Sequence, residues 1–278
     1  MRGGPAGPPL TAATPGAASL GVVCPSAESV PSSWLWRDRP VPNQVRALVL
    51  AVGFLTVIPV PHHPVRDRDF SRASGYYPLA GYLIGATVAA TLWAASLVLP
   101  PVVTGALAGA VWLGVTGMLH IDGLVDSADA VLAAKPPAER LRIFDDVHVG
   151  AFGVGAGACY IVLLVSVLAG QPPWYAPVVA AVAARAVLLV PMNLFAPARP
   201  ESLGARSREG RWFVGAVLAA PVLVWPWAAP ALLACVVVVL GVAWWVARRL
   251  GGGLGGDTYG MLICVGELVT MLALLALA

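Results

Sequence analysis

The sequence predicts an all-α fold: a polytopic integral membrane helical bundle of about seven transmembrane helices, with one short N-terminal helix that is interfacial or re-entrant. Three observations predict it. Of the 278 residues, 59% are hydrophobic and only 11% are charged, whereas a soluble domain carries about 25% charged residues. The apolar runs approach the ~20 residues needed to cross a bilayer. Prolines and clusters of charge punctuate those runs, because proline ends helices and charge is expensive in hydrocarbon.

The elements follow in order. Residues 1–40 are rich in Gly, Pro, Ala and Ser, and Pro5, Pro8, Pro9 and Pro15 interrupt any compact apolar signal segment. That composition predicts a disordered extension or an over-long gene start, leaving 41–278 as a single helical membrane domain. Val45–Val60 contains Arg46 and ends at Pro59 and Pro61; it is short for a span, hence the interfacial or re-entrant reading. Longer apolar segments cover 77–99, 102–121, 150–170, 174–195, 212–228, 230–247 and 258–277. Pro100-Pro101, Pro172-Pro173 and the stretch from Pro226 to Pro230 separate several of them.

Charge tests this segmentation independently. The connections near 100, 172 and 228 carry none, whereas 61–76, 122–149, 196–211 and 248–257 hold most of it. Two spans separate each charged connection from the next, so all four are expected on one face. The arginines there, among them Arg66, Arg72, Arg140, Arg199, Arg208 and Arg249, make that face cytoplasmic by the positive-inside rule. Polar residues concentrated at one interface favour an enzyme over a transporter, whose polar breaks lie near the midplane. The net charge of +3 gives no reason to invoke nucleic acid. Cys24, Cys159, Cys235 and Cys264 lack metal-ligand spacing and read as small buried thiols.

Chemistry concentrates in His120-Ile-Asp-Gly-Leu-Val-Asp-Ser-Ala-Asp129. Asp122, Asp126 and Asp129 stand at i, i+4 and i+7, so one helix stacks them within about 60°. Three like charges beside apolar sequence need a cation. Mg²⁺, held by one or two carboxylates plus phosphate oxygens, suits that donor set, while a solvated helix end is the plain alternative. Asp145 and Asp146 open a second element, in which Gly150 and Gly153 begin a helix whose free N–H groups suit phosphate; helix capping and membrane packing are the competing roles. The glycine run at 251–256, ending Gly256-Asp257, opens the last span and reads equally as a phosphate cradle or a linker. Glu267, well inside that span, needs a partner: a metal, a substrate amide or hydroxyl, or Arg185. Arg185 itself reads as a phosphate clamp or a structural ion pair. His120 lies on the face away from Asp122, His148 is a loop histidine, and His62 and His63 are expected to be solvated. The ten tryptophans are interfacial anchors or packing.

These elements together resemble the cobalamin synthase (adenosylcobinamide-GDP ribazoletransferase) family. The resemblance runs through Phe54-Leu-Thr-Val-Ile-Pro-Val-Pro61, Tyr77-Pro-Leu-Ala-Gly81, the 120–129 motif, Asp146 with Gly150-Ala-Phe-Gly153, Arg185, and the terminal glycine-rich segment with Asp257 and Glu267. It covers roughly residues 45–278. It implies Mg²⁺-dependent attack by α-ribazole, or its 5′-phosphate, on adenosylcobinamide-GDP, releasing GMP and forming adenosylcobalamin or its phosphate. In that assignment Asp122, Asp126, Asp129, Asp146 and Glu267 hold metal, and Arg185, Gly150, Gly153 and Gly256 bind substrate. Asp122, Asp126, Asp146 and Asp257 are catalytic, with Asp146 or Asp257 accepting the ribose proton. The implied setting is the cytoplasmic membrane with its lipid bilayer; further partners are a second copy of the chain or other cobalamin-assembly enzymes. The chain departs from the family pattern at Asp145 and Val147, where a basic residue and a serine are usual, at Gly255 (threonine), and at Cys264 (an acid). Alternatives are a CDP-alcohol phosphotransferase-like enzyme and a non-catalytic corrinoid transporter or binding protein.

Overall fold

The structure, a computed structural model, describes residues 42–61, 64–66, 68–208 and 212–278. The readings made for residues 1–40 and for His62 and His63 lie outside these. The described residues form helices almost throughout: α1 (Asn43–Leu55), α2 (Asp69–Ser74), α3 (Tyr77–Ser96), α4 (Pro101–Val115), α5 (Leu119–Leu132), α6 (Pro137–Ile143), α7 (Ala151–Ala169), α8 (Ala176–Leu194), α9 (Leu203–Arg206), α10 (Trp212–Ala219), α11 (Ala228–Arg249) and α12 (Gly256–Leu277). Two short strands, β1 (Ala196–Pro197) and β2 (Gly253–Leu254), pair in parallel.

Among the described residues, five helices are long and apolar enough to cross a membrane: α3, α7, α8, α11 and α12. Counting α4 with α5 as one broken span gives six, against the seven read from the sequence. Two segments account for the gap between five and seven. The 102–121 segment does not run straight into the acidic motif; the chain bends by 88° between α4 and α5. The 212–228 segment stops being α-helical at Ala219 and tightens into a 3-10 turn over Ala220–Val224, where Pro221 withholds a backbone donor. A helix of thirteen residues spans only about 20 Å, short of the hydrocarbon core. α1 is likewise short, and Arg46 turns it toward α2 through a 2.9 Å ion pair with Asp69.

Helix α8 is the axle of the bundle, buried along most of its length and packed by α3, α11 and α12. Its run of alanines leaves room for close neighbours. A Cβ on Gly81 of α3 would lie 2.7 Å from the Ala181 carbonyl oxygen, so α3 and α8 touch backbone to backbone. Large apolar side chains such as Trp93, Val102, Val154, Val162, Leu233 and Val237 instead face outward, as lipid-facing residues do.

The ends of the bundle differ in kind. At one, Tyr175 stacks on Trp225 at 5.8 Å and its hydroxyl donates to the Pro226 carbonyl, joining two of the uncharged connections. At the other, the four charged connections meet. β1 pairs with β2, the Arg140 guanidinium donates to the Arg249 carbonyl, and Arg249 in turn donates to the Val131 and Ala133 carbonyls. The first connection joins through Tyr77, whose hydroxyl is 3.4 Å from Ser207. Of the cysteines, Cys235 and Cys264 are buried as expected, but Cys159 is exposed on α7.

Candidate active site

The site begins at the bend. Gly117 and Met118 both adopt left-handed backbone with φ near 58°, a conformation that costs a non-glycine residue about 1 kcal/mol. The paired left-handed residues break the apolar run and start a new helix, α5, with Asp122 in its first turn, where a carboxylate favours the helix dipole. Asp122, Asp126 and Asp129 therefore share one stripe. Asp122 is exposed and the other two are half-buried, while Gly123, Leu124, Ser127 and Ala128 on other faces are buried.

α5 lies against the first turn of α12 with almost no gap. A Cβ on Gly123 would sit 2.5 Å from the Asp257 carbonyl oxygen, and one on Gly260 would sit 3.3 Å from Gly123 Cα. That contact brings Asp257 to the stripe. Asp122, Asp257 and Asp129 all lie within electrostatic reach of Asp126, and Asp257 feels Asp122 and Asp145 as well, with Arg199 opposing them. The space that a side chain at Gly123 would need is thus filled by a neighbouring helix backbone. Above it the α12 turn is open: a Cβ at Gly255 or Gly256 would meet nothing within 4 Å. Gly255 caps α12, its N–H donating to Thr258 Oγ1 at 2.8 Å.

Asp129 has a defined task. Its carboxylate accepts N–H bonds from Gly150 at 2.7 Å and Gly153 at 2.9 Å, capping α7 from another helix. The donors read as a phosphate cradle are therefore occupied by protein. A side chain at Gly150 or Gly153 would collide with that carboxylate, which explains both glycines. Each carboxylate oxygen retains a second lone pair.

Three other site residues sit elsewhere. Asp146 lies on the exposed α6–α7 connection, where its Oδ1 takes the His148 backbone N–H and stands 2.7 Å from the His148 ring. Those hydrogen bonds hold its carboxyl below the usual carboxylate range. Arg185 and Glu267 are fully buried and face each other, Nη1 to Oε1 at 2.6 Å. Tyr160 donates to Glu267 Oε2, and Arg185 also donates to the Ala181 carbonyl. The ion-pair alternative describes their contact: Arg185 is sealed from solvent against Glu267, with its Nε and Nη2 lacking a hydrogen-bond partner among the described residues. Cys264 is buried beside this pair and Tyr160. His120 is buried on the α12 side of α5.

Arg199 was legible only as one basic residue in a charged connection. It follows β1 and grips Asp145 with both terminal nitrogens, at 2.7 and 2.9 Å, while also donating to the Leu141 carbonyl. Asp145 is thus answered by a cation, a pairing between residues 54 positions apart that no local pattern announces.

A metal fits this donor set in a limited way. Among the described residues no three His, Cys, Asp or Glu side chains converge into a metal-holding group. Neighbouring carboxylates on α5 and α12 supply hard oxygen donors, which match an Mg²⁺ held by one or two of them with substrate and water completing its shell. Glu267, inside its ion pair, and Asp146, bonded to His148, stand outside that set.

The fold and site define a class: a polytopic helical membrane protein with a carboxylate-lined site at its charged end. Comparison with known proteins gives the particular case. Residues 47–275 match the family model described as cobalamin-5-phosphate synthase, and the chain belongs to that family. It is 53% identical, over 85% of its length and 87% of the relative's, to an adenosylcobinamide-GDP ribazoletransferase of Deinococcus radiodurans. Relatives of the same name in Desulfitobacterium hafniense and Novosphingobium aromaticivorans are 37% and 38% identical, over 82% and 78% of this chain and 96% and 90% of theirs. No solved structure matches the chain.

Proposed function

We propose that this chain transfers the adenosylcobinamide-phosphate group of adenosylcobinamide-GDP to α-ribazole or its 5′-phosphate, releasing GMP. The observation that carries the reading is the meeting of the α5 stripe with Asp257, within a chain whose relatives bear that activity in their names. A ribose hydroxyl oxygen forms a bond to the phosphorus attached to adenosylcobinamide. The bridging P–O bond to GMP breaks, and the hydroxyl proton passes to a carboxylate. Asp257 suits that last role because it shares its surroundings with Asp122 and Asp126, whereas Asp146 is engaged by His148 on an exposed loop. One or two of Asp122, Asp126 and Asp129 would hold Mg²⁺, which when bound supplies positive charge against the diphosphate and the leaving phosphate.

The charged end would face the cytoplasm, since the arginines gathered there follow the positive-inside rule. The site then lies at the membrane surface, open to a water-soluble ribazole and to a bulky amphipathic corrinoid. Incubating membranes with adenosylcobinamide-GDP, α-ribazole and Mg²⁺ should yield cobalamin and stoichiometric GMP, both abolished by EDTA and restored by Mg²⁺. Folded protein that forms neither product refutes the activity. Product formation that survives EDTA refutes the metal.

A further inference from the structure

We propose that Arg199 is a phosphate-binding residue of the acidic site and that Asp145 is a stand-in anion occupying it until a diphosphate arrives. The proposal rests on the phosphoryl-transfer reading above and deepens it.

Three arginines at this end of the bundle contrast with Arg199. Arg140 donates to the Lys135 and Arg249 carbonyls, Arg249 to the Val131 and Ala133 carbonyls, and Arg208 to the Met192 and Asn193 carbonyls. These guanidinium groups staple backbone segments together, and withdrawing one strands a carbonyl. Arg199 differs because its main partner is a side chain that another anion can replace. Its two terminal nitrogens meet the two Asp145 oxygens in parallel, the fork geometry that phosphate oxygens reproduce. The pair is open to water, with Arg199 39% and Asp145 66% exposed. Such a pair contributes little to stability, so exchanging its anion costs little.

Position completes the argument. Arg199 follows Ala198, whose N–H donates to the Leu254 carbonyl at 2.8 Å, three residues before Asp257, and its charge opposes that of Asp257, so a phosphate leaning on the α5–α12 site approaches the fork. An entering diphosphate adds negative charge to a place already crowded with Asp122, Asp126, Asp129 and Asp257. It needs a cation from the protein as well as from any metal. Displaced from Arg199, Asp145 turns into solvent, while the bond from Arg199 to the Leu141 carbonyl keeps the guanidinium in place.

Titration of the full-length protein in detergent with pyrophosphate, and separately with GMP, each with Mg²⁺, tests this. Arg199→Ala should weaken pyrophosphate binding by about 10-fold or more, the scale of a charge-assisted hydrogen-bonded pair. Asp145→Asn, which removes the competing charge and preserves the loop, should tighten it roughly 3-fold. The double variant should bind like Arg199→Ala alone. If Arg199→Ala melts early, Arg199→Lys, which keeps the charge without the fork, replaces it and should lose most of the same affinity. Unchanged or weaker pyrophosphate binding in Asp145→Asn, or unchanged binding in a folded Arg199 variant, overturns the proposal and leaves the pair as a surface staple. Failure of the wider reading looks different: no GMP is released by the parent protein, while its pyrophosphate affinity still responds to Asp145 and Arg199.

Discussion

Glu267 and the carboxylates of the α5 stripe are all acids set into apolar sequence, and the molecule treats them in opposite ways. Glu267 lies within α12, sealed from solvent and answered by Arg185 at 2.6 Å. Asp122, Asp126 and Asp257 lie where α5 meets the start of α12 and have mainly one another for company. The first arrangement satisfies charge inside the fold and closes it. The second leaves like charges crowded together with only Arg199 opposing Asp257, and folding offers no reason to keep them. An ion pair in the core is architecture; the crowd of like charges at the edge is the proposed cation site.

Substitutions can break or sharpen this contrast. The largest effect belongs to the core: Glu267→Ala strands a buried guanidinium and should cost about 3–5 kcal/mol, read as a collapse in detergent melting temperature and membrane yield. Replacing both partners together, as Arg185→Met with Glu267→Leu, should restore most of that loss. If the double variant melts normally yet makes no GMP, Glu267 belongs to the chemistry after all.

Asp122→Asn should do the reverse. The side chain is exposed, so melting should hold, while GMP release falls by about 100-fold or more, the scale of removing one preorganised electrostatic group. Activity near the parent level would move the reacting centre off the stripe.

Asp129 stands between the two regimes, and Asp129→Asn should show both behaviours mildly. Loss of a charged cap on α7 costs about 1 kcal/mol, with a matching drop in melting temperature. Gly153→Ala drives a methyl into that carboxylate and should reproduce the same partial loss. An unaltered melting temperature in both would mean that α7 does not depend on the contact.

The smallest effect concerns pH. Asp146 is held below the usual carboxylate range chiefly by His148, so its ionised, loop-ordering contact is in place above about pH 4 and is lost as pH falls through the depressed value. His148→Ala should raise the Asp146 pKa toward its ordinary position and shift the acid limb of loop protection, measured by proteolysis of the α6–α7 connection, slightly upward. No shift would detach His148 from Asp146.

Much of the site was legible before folding because its signals are local. The spacing of Asp122, Asp126 and Asp129 is a helix property, and α5 carries it as expected. The convergence of four charged connections followed from the alternation of apolar and charged segments. What misled were apolar runs that look alike but end differently. Nothing in composition distinguishes 102–121 as a segment that bends at Gly117 and Met118, or 212–228 as one that Pro221 cuts short. Glycines marked as ligand cradles were equally ambiguous. Gly150 and Gly153 make room for the Asp129 carboxylate.

The sequence by itself determined that this is a membrane helical bundle with its charge gathered at one end, because hydropathy and charge spacing are local properties that the bilayer enforces segment by segment. Only the tertiary structure decided which charges answer one another. Arg185 found Glu267 across 82 residues and Arg199 found Asp145 across 54. Such pairings depend on which helix faces meet, and that is settled by the packing of the whole bundle around α8.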